Sequence, residues 1–157
     1  MKKSILWIVF ILAGLWTLFI FANSMQSAVV STGHSDVFTN AFVSLFDMFH
    51  VKLSPESVSF AVRKTAHAVE FLIQSALLGT GLVLLGKSFK TYLVPVWFVG
   101  LLTACVDEYI QLFSAGRSSQ VSDIFVDFFG TLAGTLVCVL ISRLVKGNKK
   151  GKIYYRR

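Results

Sequence analysis

Charged residues are scarce in this chain, because Asp, Glu, Lys and Arg together make up 15% of its 157 residues. A typical soluble domain contains about a quarter of such residues. Proline is also rare, with two residues, whereas 55% of the chain is hydrophobic and its mean hydropathy is +0.70. This composition argues against a soluble domain and predicts an integral membrane protein with a single domain over residues 1–157.

Cysteine is scarce too, and the sequence motifs of several enzyme classes are absent. Cys105 and Cys138 both lie in apolar runs, so we expect each to be a small buried hydrophobe. The sequence contains no Gly-rich phosphate loop, no HExxH zinc motif and no motif of an activated nucleophile. We expect the hydroxyl groups of Ser118, Ser119 and Ser122 to cap a helix rather than to attack a substrate.

Long hydrophobic runs, by contrast, are present. A lipid core of about 30 Å needs about 20 apolar residues per helix, and four segments meet this length. The first is predicted to be a retained helix, because its apolar run exceeds that of a usual signal peptide. The predicted fold is an all-α integral membrane protein with spans over about residues 4–22, 65–86, 91–113 and 121–145, an extracellular loop over 23–62 and a basic cytoplasmic tail over 146–157.

Negative charge is absent from one side of this arrangement. If the N-terminus is cytoplasmic, eleven of the fifteen Lys and Arg residues fall on the inner side, which is the bias that orients membrane proteins. All eight Asp and Glu residues then fall on the outer side. Both termini are therefore predicted to be cytoplasmic, and the net charge of +7 indicates membrane topology rather than nucleic-acid binding. The lack of charge in the inner half of the spans also argues against a transport path.

The extracellular loop contains a pattern typical of a short amphipathic helix over residues 36–50. Ser35 is the expected N-cap, and Thr39 is among the polar residues expected to face water. This helix either lies on the outer leaflet or over a pocket, or it packs against the bundle without a further role. Ser54 and Pro55 predict the start of a long helix that continues into the second span. The apolar stripe of the amphipathic helix consists of Phe38, Phe42, Leu45, Phe46 and Phe49.

Helical spacing gathers polar groups at the outer ends of the last three spans. Arg63, His67 and Glu70 lie on one face of the second span. Asp123 and Asp127 lie one turn apart on the fourth. A carboxylate that faces lipid costs several kcal/mol, so these side chains are predicted to face one another in a polar pocket that opens outward. The predicted ligand-binding residues are Lys64, His67, Glu70, Asp107, Glu108, Gln111, Arg117, Ser118, Asp123 and Asp127.

The alternative is that the charges only join the ends of the helices. Ion pairs such as Arg117–Asp123 or Lys64–Glu70 would be sufficient for that purpose. We favour a pocket, because joining the helix ends needs two or three charges and this region has five acids. Small residues would let the helices approach closely, namely Gly79, Gly81, Gly100, Gly130, Ala133 and Gly134.

Two segments, RKTAHAVEF (63–71) and DEYIQLFSAGRSSQVSDIFVDFFGTLAG (107–134), resemble the VanZ-like family. The pattern of that family has a Lys and a His followed by Glu, then Asp-Glu-x-x-Gln, an aromatic residue, a Gly-Arg turn, an Asp and Gly-x-x-x-Gly. FANSMQSA (21–28) resembles its Ser-Gln segment. Asp127 stands where the family typically has Asn, and Ala68 stands in place of an aromatic residue. The matching residues are Lys64, His67, Glu70, Asp107, Glu108, Gln111, Phe113, Gly116, Arg117, Asp123, Gly130 and Gly134.

The resemblance implies a multi-pass protein of the bacterial cytoplasmic membrane. It also implies work at the cell envelope, because the namesake of the family is linked to resistance against teicoplanin and similar lipoglycopeptides. The resemblance does not supply a reaction.

Two functions remain open at this point. In the first, the pocket binds or remodels an amphiphile at the outer leaflet, either a membrane lipid, a lipoglycopeptide or a lipid-linked cell-wall precursor. In the second, a membrane enzyme acts on a lipid or isoprenoid-phosphate headgroup, with His67, Glu70 and Asp123 as candidate catalytic residues. An oxygen-rich set with one imidazole would suit Mg²⁺, Mn²⁺ or Ca²⁺, although the sequence assigns no cofactor.

Overall fold

The computed structural model of the chain describes residues 2–86 and 89–154. Within these ranges it describes all side chains except those of Lys2, His34, Phe89, Lys90, Tyr92 and residues 144–154. Lys87 and the side chains of the predicted basic tail therefore lie outside the described residues. The described ranges form helices and no strand: α1 (Lys2–Ser24), α2 (Ala28–Asp47), α3 (Pro55–Leu84), α4 (Phe89–Gln111) and α5 (Val121–Tyr154).

Within the described residues, four helices are long and apolar enough to cross a membrane. Helices satisfy every backbone hydrogen bond internally, which a lipid-exposed segment requires. The all-α class of a multi-pass membrane protein is thus confirmed. The candidate spans are Lys3–Ser24, Pro55–Leu84, Leu93–Gln111 and Val121–Arg143.

Glycines bring α5 into backbone contact with α3. A Cβ atom added at Gly130 would lie 2.1 Å from the carbonyl oxygen of Ala68, and one at Gly134 would lie 2.1 Å from that of Leu72. Any side chain at either glycine would push the two helices apart. This close approach fixes how the first turns of α5 lie beside α3, where the predicted site residues are found.

The helix before α3 is longer than the sequence pattern predicts. It begins at Ala28 rather than at Asp36, with Ser27 as the N-cap that accepts a hydrogen bond from the Val30 amide. The predicted cap Ser35 is wrong, because it lies inside α2 and its hydroxyl group donates to the Ser31 carbonyl at 3.1 Å. By contrast, α3 begins as predicted, with Ser54 as its N-cap and a proline in the first turn.

The faces of α2 also differ from the prediction. Thr39, which was expected to face water, is buried. Phe38, Phe42 and Phe46 instead border an open apolar groove of about 590 Å³ between α2 and α3. We call this space the apolar groove; its α3 side includes Val58, Ala61, Val62, Ala66 and Val69.

The core of the bundle is small, as expected for a chain whose surroundings are apolar. Ile20, Phe71 and Ala104 form its fully buried cluster, with Trp16 packed against it. Of the two cysteines, Cys138 is buried and Cys105 is exposed. The prediction of a buried Cys105 is therefore wrong, because an apolar run alone does not show which residues of a helix face its neighbours.

Candidate functional site

The C-terminal ends of α1 and α4 meet the N-terminal parts of α3 and α5 at one end of the bundle. Ser24 of α1 donates a hydrogen bond to Asp107 of α4, and Lys64 of α3 forms an ion pair with Asp123 of α5. We call this the ionic end. The connection after α4 also reaches α1, because the hydroxyl of Ser114 donates to the Ser24 carbonyl at 2.6 Å.

A cavity of about 240 Å³ opens at the ionic end. Its charged lining includes Arg63, Lys64 and Arg117, together with the imidazole of His67. The ammonium group of Lys64 lies 5.1 Å from the centre of the Phe60 ring, which favours a cation at that place. We call this space the cationic cavity; it is also lined by Ala28, Ser31, Gln111, Gly116, Ser118, Gln120 and Asp123.

The Lys64–Asp123 ion pair stands at the edge of this cavity. Its side chains are 22% and 21% exposed, so water screens part of their attraction. A pair of this kind stabilises a fold by at most about 1 kcal/mol. Both groups therefore remain accessible to a ligand that could replace one partner of the pair.

The inner wall of the site consists of a histidine between two buried carboxylates. The Nδ1 atom of His67 lies 3.9 Å from Oδ2 of Asp107 and 3.8 Å from Oδ1 of Asp127. Both distances are too long for a hydrogen bond. Both aspartates are fully buried. The three side chains come from α3, α4 and α5, so only the packed bundle brings them together.

The two aspartates differ in what supports them. Asp107 accepts hydrogen bonds from the Ser24 hydroxyl and, at 2.8 Å, from the Gln111 amide. Neither oxygen of Asp127 has a hydrogen-bond partner among residues 2–86 and 89–154. Most buried polar atoms in native proteins do have a partner. Single unpartnered atoms also occur at Arg63 and Glu108, but in Asp127 both carboxylate oxygens lack a partner.

A second, smaller cavity of about 120 Å³ adjoins the first and shares Arg63, His67 and Arg117 with it. Glu70 lines this cavity and accepts a hydrogen bond of 2.7 Å from the amide of Asn23. The guanidinium group of Arg117 donates to the backbone carbonyl of Asn23 at 3.4 Å. Burial lowers the pKa of Arg117, but an arginine at neutral pH remains charged.

Two predicted site residues, Glu108 of α4 and Ser118 of the connection after it, lie near the turn that precedes α5. Glu108 is buried, and its carboxylate accepts a 2.8 Å hydrogen bond from the backbone amide of Gln120, which holds the turn before the helix. Ser118 lines the cationic cavity from its exposed edge. Because α5 begins at Val121, Gln120 precedes its first residue and Ser122 lies inside it, so the expectation that Ser118, Ser119 or Ser122 caps this helix is wrong.

The structure changes the partners that were expected from the sequence. Instead of the pairs Arg117–Asp123 and Lys64–Glu70, it pairs Lys64 with Asp123 and Glu70 with Asn23. Asn23 was not predicted as a site residue, and its only sequence signal was its position in FANSMQSA beside Ser24 and Gln26. Gln74, one turn beyond Glu70 on α3, is buried below the site and donates to Thr17 and Thr103.

These features define a class of protein: a small multi-pass helical membrane protein with a cluster of charged groups around a cavity at one end of its bundle. The model of the family described as VanZ/LLP1 matches residues 9–142. The chain therefore belongs to the VanZ/LLP1 family, which confirms the resemblance seen in the sequence. No curated protein and no solved structure matches the chain.

Proposed function

We propose that the protein binds the anionic head of an amphiphile in the cationic cavity, at the outer leaflet of the bacterial cytoplasmic membrane. The observation that carries this proposal is the lining of the cavity by Arg63, Lys64, Arg117 and His67. A cavity of 240 Å³ has room for several water molecules at about 30 Å³ each. This space is sufficient for a phosphate or carboxylate group. The proposal puts both termini in the cytoplasm, which is the orientation that the Lys and Arg bias predicts.

The apolar groove supports an amphiphile rather than a free anion. Ala66 of α3 borders both the apolar groove and the smaller cavity that adjoins the cationic cavity. An acyl chain in the groove and an anionic head in the cavities would therefore lie against the same helix. Phe38, Phe42 and Phe46 would cover the chain from the side of α2.

The candidate amphiphiles are membrane lipids, lipid-linked cell-wall precursors and lipoglycopeptides. Each has an apolar chain and a polar part, as the two spaces require. Membership of the VanZ/LLP1 family supports a role in resistance to teicoplanin through the family resemblance. Sequestering or redirecting such an amphiphile at the membrane surface would be the contribution of this protein.

Binding of a phosphate-headed lipid tests the proposal. In protein purified into detergent and kept in EDTA, fluorescent phosphatidic acid should bind, and diacylglycerol with the same acyl chains should bind at least tenfold more weakly. Arg117→Gln should weaken phosphatidic acid binding about tenfold, or about 1.4 kcal/mol. The matched control is Arg143→Gln, because Arg143 is exposed and lies far from the ionic end on α5.

Two results would contradict amphiphile binding at this site. One is equal affinity for phosphatidic acid and diacylglycerol. The other is an Arg117→Gln variant that binds like the wild type at equal folded fraction. Displacement of the fluorescent lipid by teicoplanin or by a lipid-linked precursor would identify the amphiphile. In cells, Arg117→Gln should then lose any teicoplanin resistance at matched protein abundance, whereas Arg143→Gln should keep it.

The second candidate function is a membrane enzyme acting on a lipid or isoprenoid-phosphate headgroup. The observation that favours it is the half-buried His67 beside the cavity, with Asp107 and Asp127 within 4 Å of its ring nitrogen. Glu70 and Asp123 are the other candidate acid–base groups. Phosphate release from an isoprenoid diphosphate by purified protein, lost in His67→Gln, would favour the enzyme; no release with or without Mg²⁺ would leave binding alone.

A further inference from the structure

The unpaired carboxylate of Asp127 is the starting point. It is fully buried, and across the described ranges nothing donates a hydrogen bond to either of its oxygens. A buried carboxylate without a partner is costly, and proteins retain such groups mainly where a cation or a reacting group meets them. The carboxylate lies 3.8 Å from the Nδ1 atom of His67, so it is directed at that ring rather than at lipid.

The spacing of the three side chains fits one ion better than it fits direct hydrogen bonds. Each of the three residues offers one ligand atom, and these atoms all lie within 4.8 Å of one another; the residues are His67, Asp107 and Asp127. Two ligands at about 2.1 Å from a common ion can be at most about 4.2 Å apart. The separations of 3.9 and 3.8 Å from His67 meet that limit, whereas both exceed a hydrogen-bond length.

The hydrogen bonds to Asp107 are of the kind that orients the ligands of a metal site. Ser24 holds one oxygen of Asp107, and Gln111 holds the other at 2.8 Å. Hydrogen bonds of this kind orient a metal-binding carboxylate and leave its remaining lone pairs free for the ion. Gln111 and His67 also line the cationic cavity, so an ion between His67 and the aspartates would be reached from that cavity.

The formal charge of the whole cluster is consistent with a dication. Glu70 and Asp123 line the cavities and three further acids lie buried behind their walls, so that five acids face Arg63, Lys64 and Arg117 when every group is counted as ionised. One divalent cation would balance this difference. The acids are Glu70, Asp107, Glu108, Asp123 and Asp127.

We propose that His67, Asp107 and Asp127 bind one divalent cation at the inner wall of the cationic cavity. One imidazole with two carboxylates is a donor set that suits Mn²⁺ among the common divalent ions. The remaining coordination positions are filled by water or by an oxygen of a group bound in the cavity. The inference goes beyond the proposed function, because binding an anionic head through Arg117 and Lys64 does not require the ion.

Titration with Mn²⁺ tests the site directly. Purified protein is treated with EDTA and dialysed, and Mn²⁺ is then added in steps. The electron paramagnetic resonance signal measures the free Mn²⁺, because the bound ion does not contribute to that signal. We expect one saturable site per chain, with affinity weakened at least tenfold in Asp127→Asn. The control is Asp36→Asn, because Asp36 is an exposed acid on α2 and its replacement should leave Mn²⁺ affinity unchanged.

A thermal measurement separates a metal ligand from a residue that only supports the fold. Asp127→Asn removes an unpartnered charge, so in EDTA this variant should melt no lower than the wild type. Added Mn²⁺ should raise the melting temperature of the wild type but not that of Asp127→Asn or His67→Gln. A residue with a purely structural role would instead change the melting temperature equally with and without Mn²⁺.

Three results would overturn the cation site. They are no saturable Mn²⁺ binding below about 1 mM, wild-type affinity in both Asp127→Asn and His67→Gln, or the same loss of affinity in Asp36→Asn. The lipid assay above is run in EDTA, so it reports on the proposed function independently. If Mn²⁺ does not bind but phosphatidic acid binds normally, only the cation site is disproved. If Mn²⁺ binds but phosphatidic acid does not, only the proposed amphiphile binding is disproved.

Discussion

At the scale of single residues, Asp107 and Asp127 lie beside the same imidazole but have different surroundings. Ser24 and Gln111 satisfy both oxygens of Asp107. Asp127 lacks any such donor in the described parts of the chain. Charges that only joined the helix ends would not explain this contrast, because an ion pair at the edge, Lys64–Asp123, already fills that role.

The Lys64–Asp123 pair gives a prediction at this scale. Lys64→Glu and Asp123→Lys should each lower the melting temperature, and the double variant should recover most of the loss because the pair is restored with its signs exchanged. Since the side chains are 22% and 21% exposed, each loss should be about 1 kcal/mol, or about 2–4 °C.

Thermal denaturation in detergent measures all three variants. Each single variant places two like charges side by side, so the coupling between the two sites is read as a double-mutant cycle. If the losses of the single variants simply add in the double variant, the two groups do not interact as the structure shows.

At the scale of elements, the contact between α3 and α5 determines where the site forms. Gly130 and Gly134 let the α5 backbone touch the α3 carbonyl groups of Ala68 and Leu72. The same contact aligns the start of α5 with the part of α3 that carries His67. A change in this contact should therefore affect stability and the site together.

Replacement of Gly134 by alanine tests this dependence. The added Cβ would lie 2.1 Å from the Leu72 carbonyl oxygen, so the helices must separate, and we expect a loss of about 1–3 kcal/mol. Gly14→Ala is the matched control, because nothing lies within 4 Å of a Cβ added there. Both the melting temperature and the Mn²⁺ affinity should fall in Gly134→Ala. Neither should fall in Gly14→Ala. Equal behaviour of the two variants would show that α3 and α5 do not rely on this contact.

At the scale of the whole molecule, the bundle has one end rich in charged groups and an apolar middle. Four candidate spans cross the lipid, and their ends converge where α2 lies over the space between α1 and α3. The proposed function requires the ionic end to face the outside of the cell. The Lys and Arg bias predicts that direction, but a helical bundle has the same packing in either orientation.

Labelling of single cysteines tests the orientation. In a background with Cys105→Ala and Cys138→Ala, a membrane-impermeant maleimide should label Asp36→Cys in intact cells. It should label Lys149→Cys only after the membrane is permeabilised, since the tail is predicted to be cytoplasmic. The opposite pattern would place the ionic end inside the cell and remove the proposed encounter with outer-leaflet amphiphiles.

Local and compositional signals allowed much of this protein to be predicted from its sequence. Helices satisfy their own backbone groups, so 20-residue apolar runs were sufficient to give the all-α class and the four helices long enough to cross a membrane. The order of Ser54 and Pro55 likewise gave the start of α3. The start of α2 was missed, because Ser35 and Ser27 both have the chemistry of an N-cap and only the packed chain distinguishes them.

The sequence alone determined that all eight acids and four of the fifteen cations gather at one end of the spans, because this follows from span length and chain direction. Tertiary structure decided which of them meet. The contacts Asn23–Glu70, Lys64–Asp123 and Ser24–Asp107 join residues 47, 59 and 83 positions apart. Such pairings depend on the rotation and offset of whole helices, which the contacts of Gly130 and Gly134 with α3 help to set. For the same reason, only the folded bundle shows a buried carboxylate without a partner beside His67.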